Sequence, residues 1–164
     1  MIGKKIKFET AIYGKLPAYG DFISHGINRR TQNHIDKWMV DILSRTREKW
    51  KDEFSEKFRV AQPWFFNGKS KSAIIIPSVD KVGRLFPFFA SVSRKVRFQS
   101  FYDSVYDAIS RQIDSQTLFD SIHNLERQSV EVDPTGWFLL ESEELALAHP
   151  LNGDREFAMA FKYD

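Results

Sequence analysis

Trp64-Phe-Phe-Asn67, Ser72-Ala-Ile-Ile-Ile-Pro-Ser-Val79 and Phe86-Pro-Phe-Phe-Ala-Ser-Val-Ser-Arg94 follow one another with short breaks between them, and they decide the fold class. Ala73-Ile-Ile-Ile is a β-branched apolar run bounded by Gly68 and Pro77, as expected of a strand covered on both faces. Gly83 sits between the second and third stretches, so the spacing predicts that those two strands form an antiparallel pair.

Working outward, Ile6 to Tyr13 alternates loosely and predicts a strand. Gly14, Pro17 and Gly20 then break regular structure, and Phe22 and Gly26 point to a loop around Asp21 and His25. A helix is expected to start between Asn28 and Thr31, both suitable N-caps, with Ile35, Trp38, Met39, Ile42, Leu43 and Trp50 along one face. Phe54 and Phe58 suit a short second helix that Pro63 ends. After Arg94, Phe98, Phe101, Tyr102, Val105, Ile109 and Ile113 make a helical stripe. Asp114 or Ser115 caps a further helix carrying Leu118, Phe119, Ile122 and Leu125. Trp137–Leu140 and Phe157–Lys162 read as strands, separated by Asn152-Gly153-Asp154. The order predicts an α/β chain of the α+β type, a mostly antiparallel central sheet flanked by helices.

The 164 residues suit one domain, 1–164, and 42% of them are hydrophobic, with fifteen phenylalanines. There is no cysteine, which removes disulfides, thiol catalysis and cysteine-held metals. A net charge of +2 does not call for a polyanionic partner. Ala73 to Pro77 is far shorter than the ~20 apolar residues of a membrane helix, and Met1-Ile-Gly-Lys-Lys-Ile-Lys lacks the apolar stretch of a secretory signal. No membrane insertion is expected.

None of the four histidines, His25, His34, His123 and His149, has metal-ligand spacing to its neighbours, so no metal and no cofactor are expected. Ser78 does not lie in a G-x-S-x-G elbow, and no phosphate-binding glycine loop occurs. Glu143/Glu144 and Glu53/Glu56 lie among charged neighbours and read as solvated surface. No catalytic residue is assigned. A small hydrolase using Ser78, Asp80 and His25 is the alternative, and it requires Ser78 and His25 within hydrogen-bond reach. Lys69, Lys71, Arg94, Lys95 and Arg97 with Phe88, Phe89 and Phe98 admit a single-stranded nucleic-acid reading. The basic surplus is too small to favour it, and no nucleic-acid partner is expected.

Two junctions stand apart: Tyr13-Gly-Lys-Leu-Pro-Ala-Tyr-Gly-Asp-Phe22 and Pro77-Ser-Val-Asp-Lys-Val-Gly-Arg-Leu-Phe-Pro-Phe88. Gly14, Gly20 and Gly83 suit positive φ or close backbone approach, and Pro17, Pro77 and Pro87 fix direction. Asp21 and Asp80 suit acceptance of backbone N–H groups in turns. Arg84 is suited to a carboxylate, with Asp21 or Asp80 as the candidate.

The two segments resemble the type VI secretion-associated TagF family. The residues that carry the resemblance are Gly14, Lys15, Leu16, Pro17, Gly20, Asp21 and Phe22, then Pro77, Ser78, Val79, Asp80, Val82, Gly83, Arg84, Phe86 and Pro87. The helix bearing Trp38 between them fits the same pattern, and the resemblance covers about residues 10 to 94. It implies a longin/SNARE-like fold and a cytoplasmic, non-enzymatic accessory protein. It further implies post-translational control, typically repression, through a forkhead-associated scaffold protein as partner. Lys15, Asp21, Asp80 and Arg84 are the residues best placed for a partner contact, because charged side chains on rigid loops present a surface. An internal Asp–Arg brace is the other reading of the same residues. Repression versus activation and oligomeric state stay open at this level.

Overall fold

The computed structural model describes residues 9–128 and 133–162. In chain order the strands are β1 (Thr10–Gly14), β2 (Ile23–His25), β3 (Trp64–Asn67), β4 (Ser72–Val79), β5 (Leu85–Val92) and β6 (Gly136–Phe138). The helices are α1 (Arg29–Trp50), α2 (Phe54–Arg59), α3 (Phe98–Arg111), α4 (Ser115–His123) and α5 (Arg155–Lys162), with short 3-10 turns at Lys51–Glu53 and Glu143–Leu145. The strands make one sheet in the order β2-β1-β5-β4-β3-β6, every neighbouring pair antiparallel.

Alternation along the strands feeds two apolar layers. Ala73, Ile75, Phe89, Trp64 and Phe66 pack with Ile35, Trp38, Met39 and Ile42 of α1, Phe54 and Phe58 of α2, and Phe157 of α5. Ile74, Ile76, Phe88, Ala90 and Val92 pack on the other face with Phe101, Val105 and Ala108 of α3 and Leu118 and Ile122 of α4. Many antiparallel sheets leave one face to water; this one does not, which is why Ala73-Ile-Ile-Ile is apolar at every position. The Asn28 side chain accepts the Thr31 N–H at 2.8 Å and starts α1, and Asp114 does the same for Thr117 at 2.9 Å and α4.

The hairpin β4–β5 outruns its neighbours. Trp64, the first residue of β3, lies opposite Ile75, and Gly14, the last of β1, lies opposite Phe88. Pro77 and Pro87 face each other just beyond both ends. A proline there interrupts no ladder to a neighbouring strand, so the sheet narrows to a two-stranded arm tipped by residues 80–84.

Several expectations change. Phe157–Lys162 is helical, not a strand: the Asp154 carboxylate accepts the Phe157 N–H at 3.1 Å and the Asp154 carbonyl accepts that of Ala158. Ala158, Met159 and Ala160 are strong helix formers, and that capped start outweighs the alternation. Ile23–His25 is not a loop but a short edge strand paired with β1; three residues are too few to show a period of two. β1 is described from Thr10, and Ile6, Lys7 and Phe8 lie outside the described residues. α2 ends at Arg59, four residues before Pro63.

Candidate interaction site

The two motif junctions meet at the tip of the β4–β5 arm, around Asp80. Its side chain is 0% exposed. One carboxylate oxygen, Oδ1, accepts the backbone N–H groups of Val82 and Arg84 at 3.0 and 2.9 Å. The other, Oδ2, accepts Arg84 Nε at 2.7 Å and Lys15 Nζ at 3.1 Å. Burial pushes the Asp80 carboxyl up, but the Arg84 backbone N–H, the Lys15 ammonium and the Arg84 guanidinium outweigh it and hold it well below the usual carboxylate range. A carboxylate with four donors is a satisfied buried charge. Arg84 therefore pairs with Asp80, and Asp21 stays exposed beside it. Lys15 is a second cation on the same carboxylate, a role its position in sequence did not disclose.

Further bonds tie the first junction to the arm. Arg84 Nη2 donates to the Gly20 carbonyl at 2.7 Å, and the Lys81 N–H donates to the Tyr19 carbonyl at 2.7 Å. The Tyr19 hydroxyl donates to Ser115 Oγ and accepts the Ser115 N–H, fixing the loop to the start of α4. Leu16 is fully buried, while Pro17 is half-buried. Phe22 stacks on Tyr13 at 5.6 Å, meets Phe86 edge-on at 5.0 Å, and lies 5.0 Å from Lys15 Nζ. The Tyr13 hydroxyl donates to Asp36 of α1 at 2.6 Å.

Gly14 and Gly83 behave as their types predict. Gly14 has φ +140°, and a Cβ there would lie 2.5 Å from the Pro87 carbonyl oxygen; Gly83 has φ +91° in the turn. Gly20 differs: nothing crowds it and its φ is ordinary. Its contribution is the carbonyl that receives Arg84. What the assembly leaves in solvent is Phe22 at 43%, Val82 at 71% and the Arg84 side chain at 61%, with Lys81 and Asp21 exposed among them. Pairing on the inside and exposure on the outside make this a rigid surface with an apolar and a cationic component.

The hydrolase arrangement is not formed. His25 and Ser78 lie on β2 and β4, three strand positions apart, about 14 Å at the usual spacing. His25 Nε2 is instead 2.8 Å from Ser115 Oγ. His123 Nδ1 is 2.7 Å from Thr10 Oγ1. Phe88 and Phe89 are fully buried core, and Arg94 is spent on the carbonyls of Ile122 and Leu125 at the end of α4. His34 is brought to Asp154 and Glu156, 120 residues away or more, with ligand atoms within 4.8 Å of one another. The group works as a latch: His34 Nδ1 holds Asp154 Oδ2 at 2.8 Å while Asp154 starts α5. Among the described residues, no helix is long and apolar enough to cross a membrane.

The sequence matches the family model of the TagF N-terminal domain, type VI secretion system-associated, over residues 11–134. Among solved structures, the crystal structure of PA0076 from Pseudomonas aeruginosa PAO1 is similar in fold, with a TM-score of 0.58 at 14% identity; the match covers 94% of this chain and 77% of that one. No match was found among curated proteins.

Proposed function

We propose a function from the premise that this chain belongs to the type VI secretion system-associated TagF N-terminal domain family: it is a non-enzymatic regulator that acts in the cytoplasm by binding a forkhead-associated scaffold protein. Its effect is to restrain the secretion machinery after its components are made. The observation that carries this reading is Asp80, which locks Lys15 and Arg84 into one rigid unit and leaves Phe22, Val82 and the outer side of Arg84 exposed. A pre-ordered patch with an aromatic ring and a guanidinium is the kind of surface on which binding energy concentrates.

The test is affinity capture of the forkhead-associated protein by the wild-type chain and by Val82→Asp and Phe22→Ser, each checked for an unchanged Tm. Loss of capture with retained folding is the expected result. Capture undiminished in both variants removes this surface from the reading, and no capture by the wild type removes the partner.

A further inference from the structure

Beyond the end of β3, the backbone groups on the outer edge of β4 meet no partner among the described residues. Hydrogen-bonded pairing of β4 with β5 uses the even-numbered residues, as the Asp80 N–H to Arg84 carbonyl bond at 3.1 Å and the facing prolines Pro77 and Pro87 require. Odd-numbered residues of β4 therefore point toward β3. That strand starts at Trp64 opposite Ile75, and two residues earlier the chain has turned away, with the Gln62 N–H bonded to the Leu145 carbonyl. The Pro77 carbonyl and both backbone groups of Val79 thus face an open edge. Pro77 lacks the donor there, which shortens the edge to one residue's pair of bonds.

A slot of about 160 Å³ runs along this edge, walled by Phe58, Pro77, Val79, Leu85 and Ile109. Two polar groups line it without a partner among the described residues. Ser78 is 5% exposed and its Oγ makes no hydrogen bond. Arg59, at the end of α2, is exposed and bonded to no carboxylate among the described residues. An open strand edge, a small apolar slot, a buried hydroxyl and a free guanidinium are complementary to a single kind of occupant.

We infer that the β4 edge at Val79 binds a short extended segment of a partner protein, which pairs with the Val79 backbone, places one apolar side chain in the slot and sets a neighbouring carboxylate on Arg59. Backbone pairing supplies the affinity and the slot and charge supply the choice of sequence, as in other strand-addition sites. The Arg59 contact is charge-assisted and can be bidentate. This inference does not depend on the regulatory reading, since it uses none of the exposed residues of the motif surface.

The test is selection of a phage-displayed random peptide library on the full chain, followed by affinity measurement of the enriched peptides on Arg59→Glu and Ile109→Trp. Enriched peptides pairing an apolar with an acidic residue, and at least tenfold weaker on each variant, are expected. Arg59→Glu changes an exposed side chain, so its affinities decide the matter even where Ile109→Trp fails to fold. The absence of enriched peptides, or peptides whose affinity neither variant changes, overturns the proposal. So does a chain that self-associates and loses that association in Arg59→Glu, because the occupant is then a second copy.

Discussion

Lys15 Nζ lies 3.1 Å from Asp80 Oδ2, across 65 residues of chain, in a contact whose carboxylate is closed to solvent. It joins the loop after β1 to the tip of the β4–β5 arm. Breaking it leaves Asp80 with Arg84 and two backbone donors, whereas an amide at position 80 keeps one oxygen for the two backbone N–H groups, loses the charge, and sets an NH2 donor against the Arg84 and Lys15 donors. Asp80→Asn is therefore expected to lower Tm more than Lys15→Met, measured by thermal denaturation at neutral pH.

The same carboxylate sets an acid limb. Burial raises it and its donors more than compensate, so its folded value lies well below the roughly 3.9 of an unfolded aspartate. A depressed carboxyl contributes stability that is complete above about pH 5 and is lost as pH falls toward the folded value. Tm measured from pH 6 down to about pH 2 is expected to fall less steeply in Asp80→Asn than in the wild type.

His149 acts higher in the range. Burial pushes its imidazole down, Glu143 partly opposes this, and Arg45 adds to it, while the ring packs against Trp64 at 4.7 Å. The unfolded chain takes up the proton first, so stability falls as pH drops below about 6.5. His149→Gln is expected to flatten Tm between about pH 6.5 and 5, where Asp80 contributes little slope.

Gly14 and Gly20 make a matched pair. A methyl group at Gly14 meets the Pro87 carbonyl at 2.5 Å and Phe88 Cα at 2.9 Å with φ at +140°, so β1 and β5 must separate to admit it. Gly14→Ala is expected to cost more than about 1 kcal/mol. Gly20→Ala meets nothing within 4 Å and is expected to stay within about 0.5 kcal/mol of the wild type. Urea unfolding distinguishes the two.

Trp38 is the hub that fastens the C-terminal segment. Its ring meets Phe89, Trp137 and Phe157 at 5.8, 5.7 and 4.6 Å, and its indole N–H donates to the Pro150 carbonyl. Trp38→Ala is expected to cost about 3–5 kcal/mol. Trp38→Phe keeps an aromatic ring and removes the donor, so faster amide hydrogen exchange in residues 146–158 is the expected result, with less change at β4 and β5.

Much of the sheet was legible because its signals are local. The apolar run in β4, the Gly83 turn and the capped stripe of α1 each declare themselves within a few residues. β2 was not legible, being three residues paired through a partner rather than a pattern. For α5, Asp154 followed by Ala158, Met159 and Ala160 carried the signal, and the apolar alternation of Phe157, Met159 and Phe161 masked it.

The sequence alone determined the fold class and the family, and it set two loop segments apart, since turn geometry, strand burial and the two motif segments are written in contiguous residues. Only the tertiary structure decided that Asp80, not Asp21, receives Arg84, that Lys15 shares it, and that Ser78 and His25 stand apart. Pairing of charges across 65 residues depends on where an arm of the sheet ends, and the arm ends where β1 and β3 stop, which no local pattern encodes.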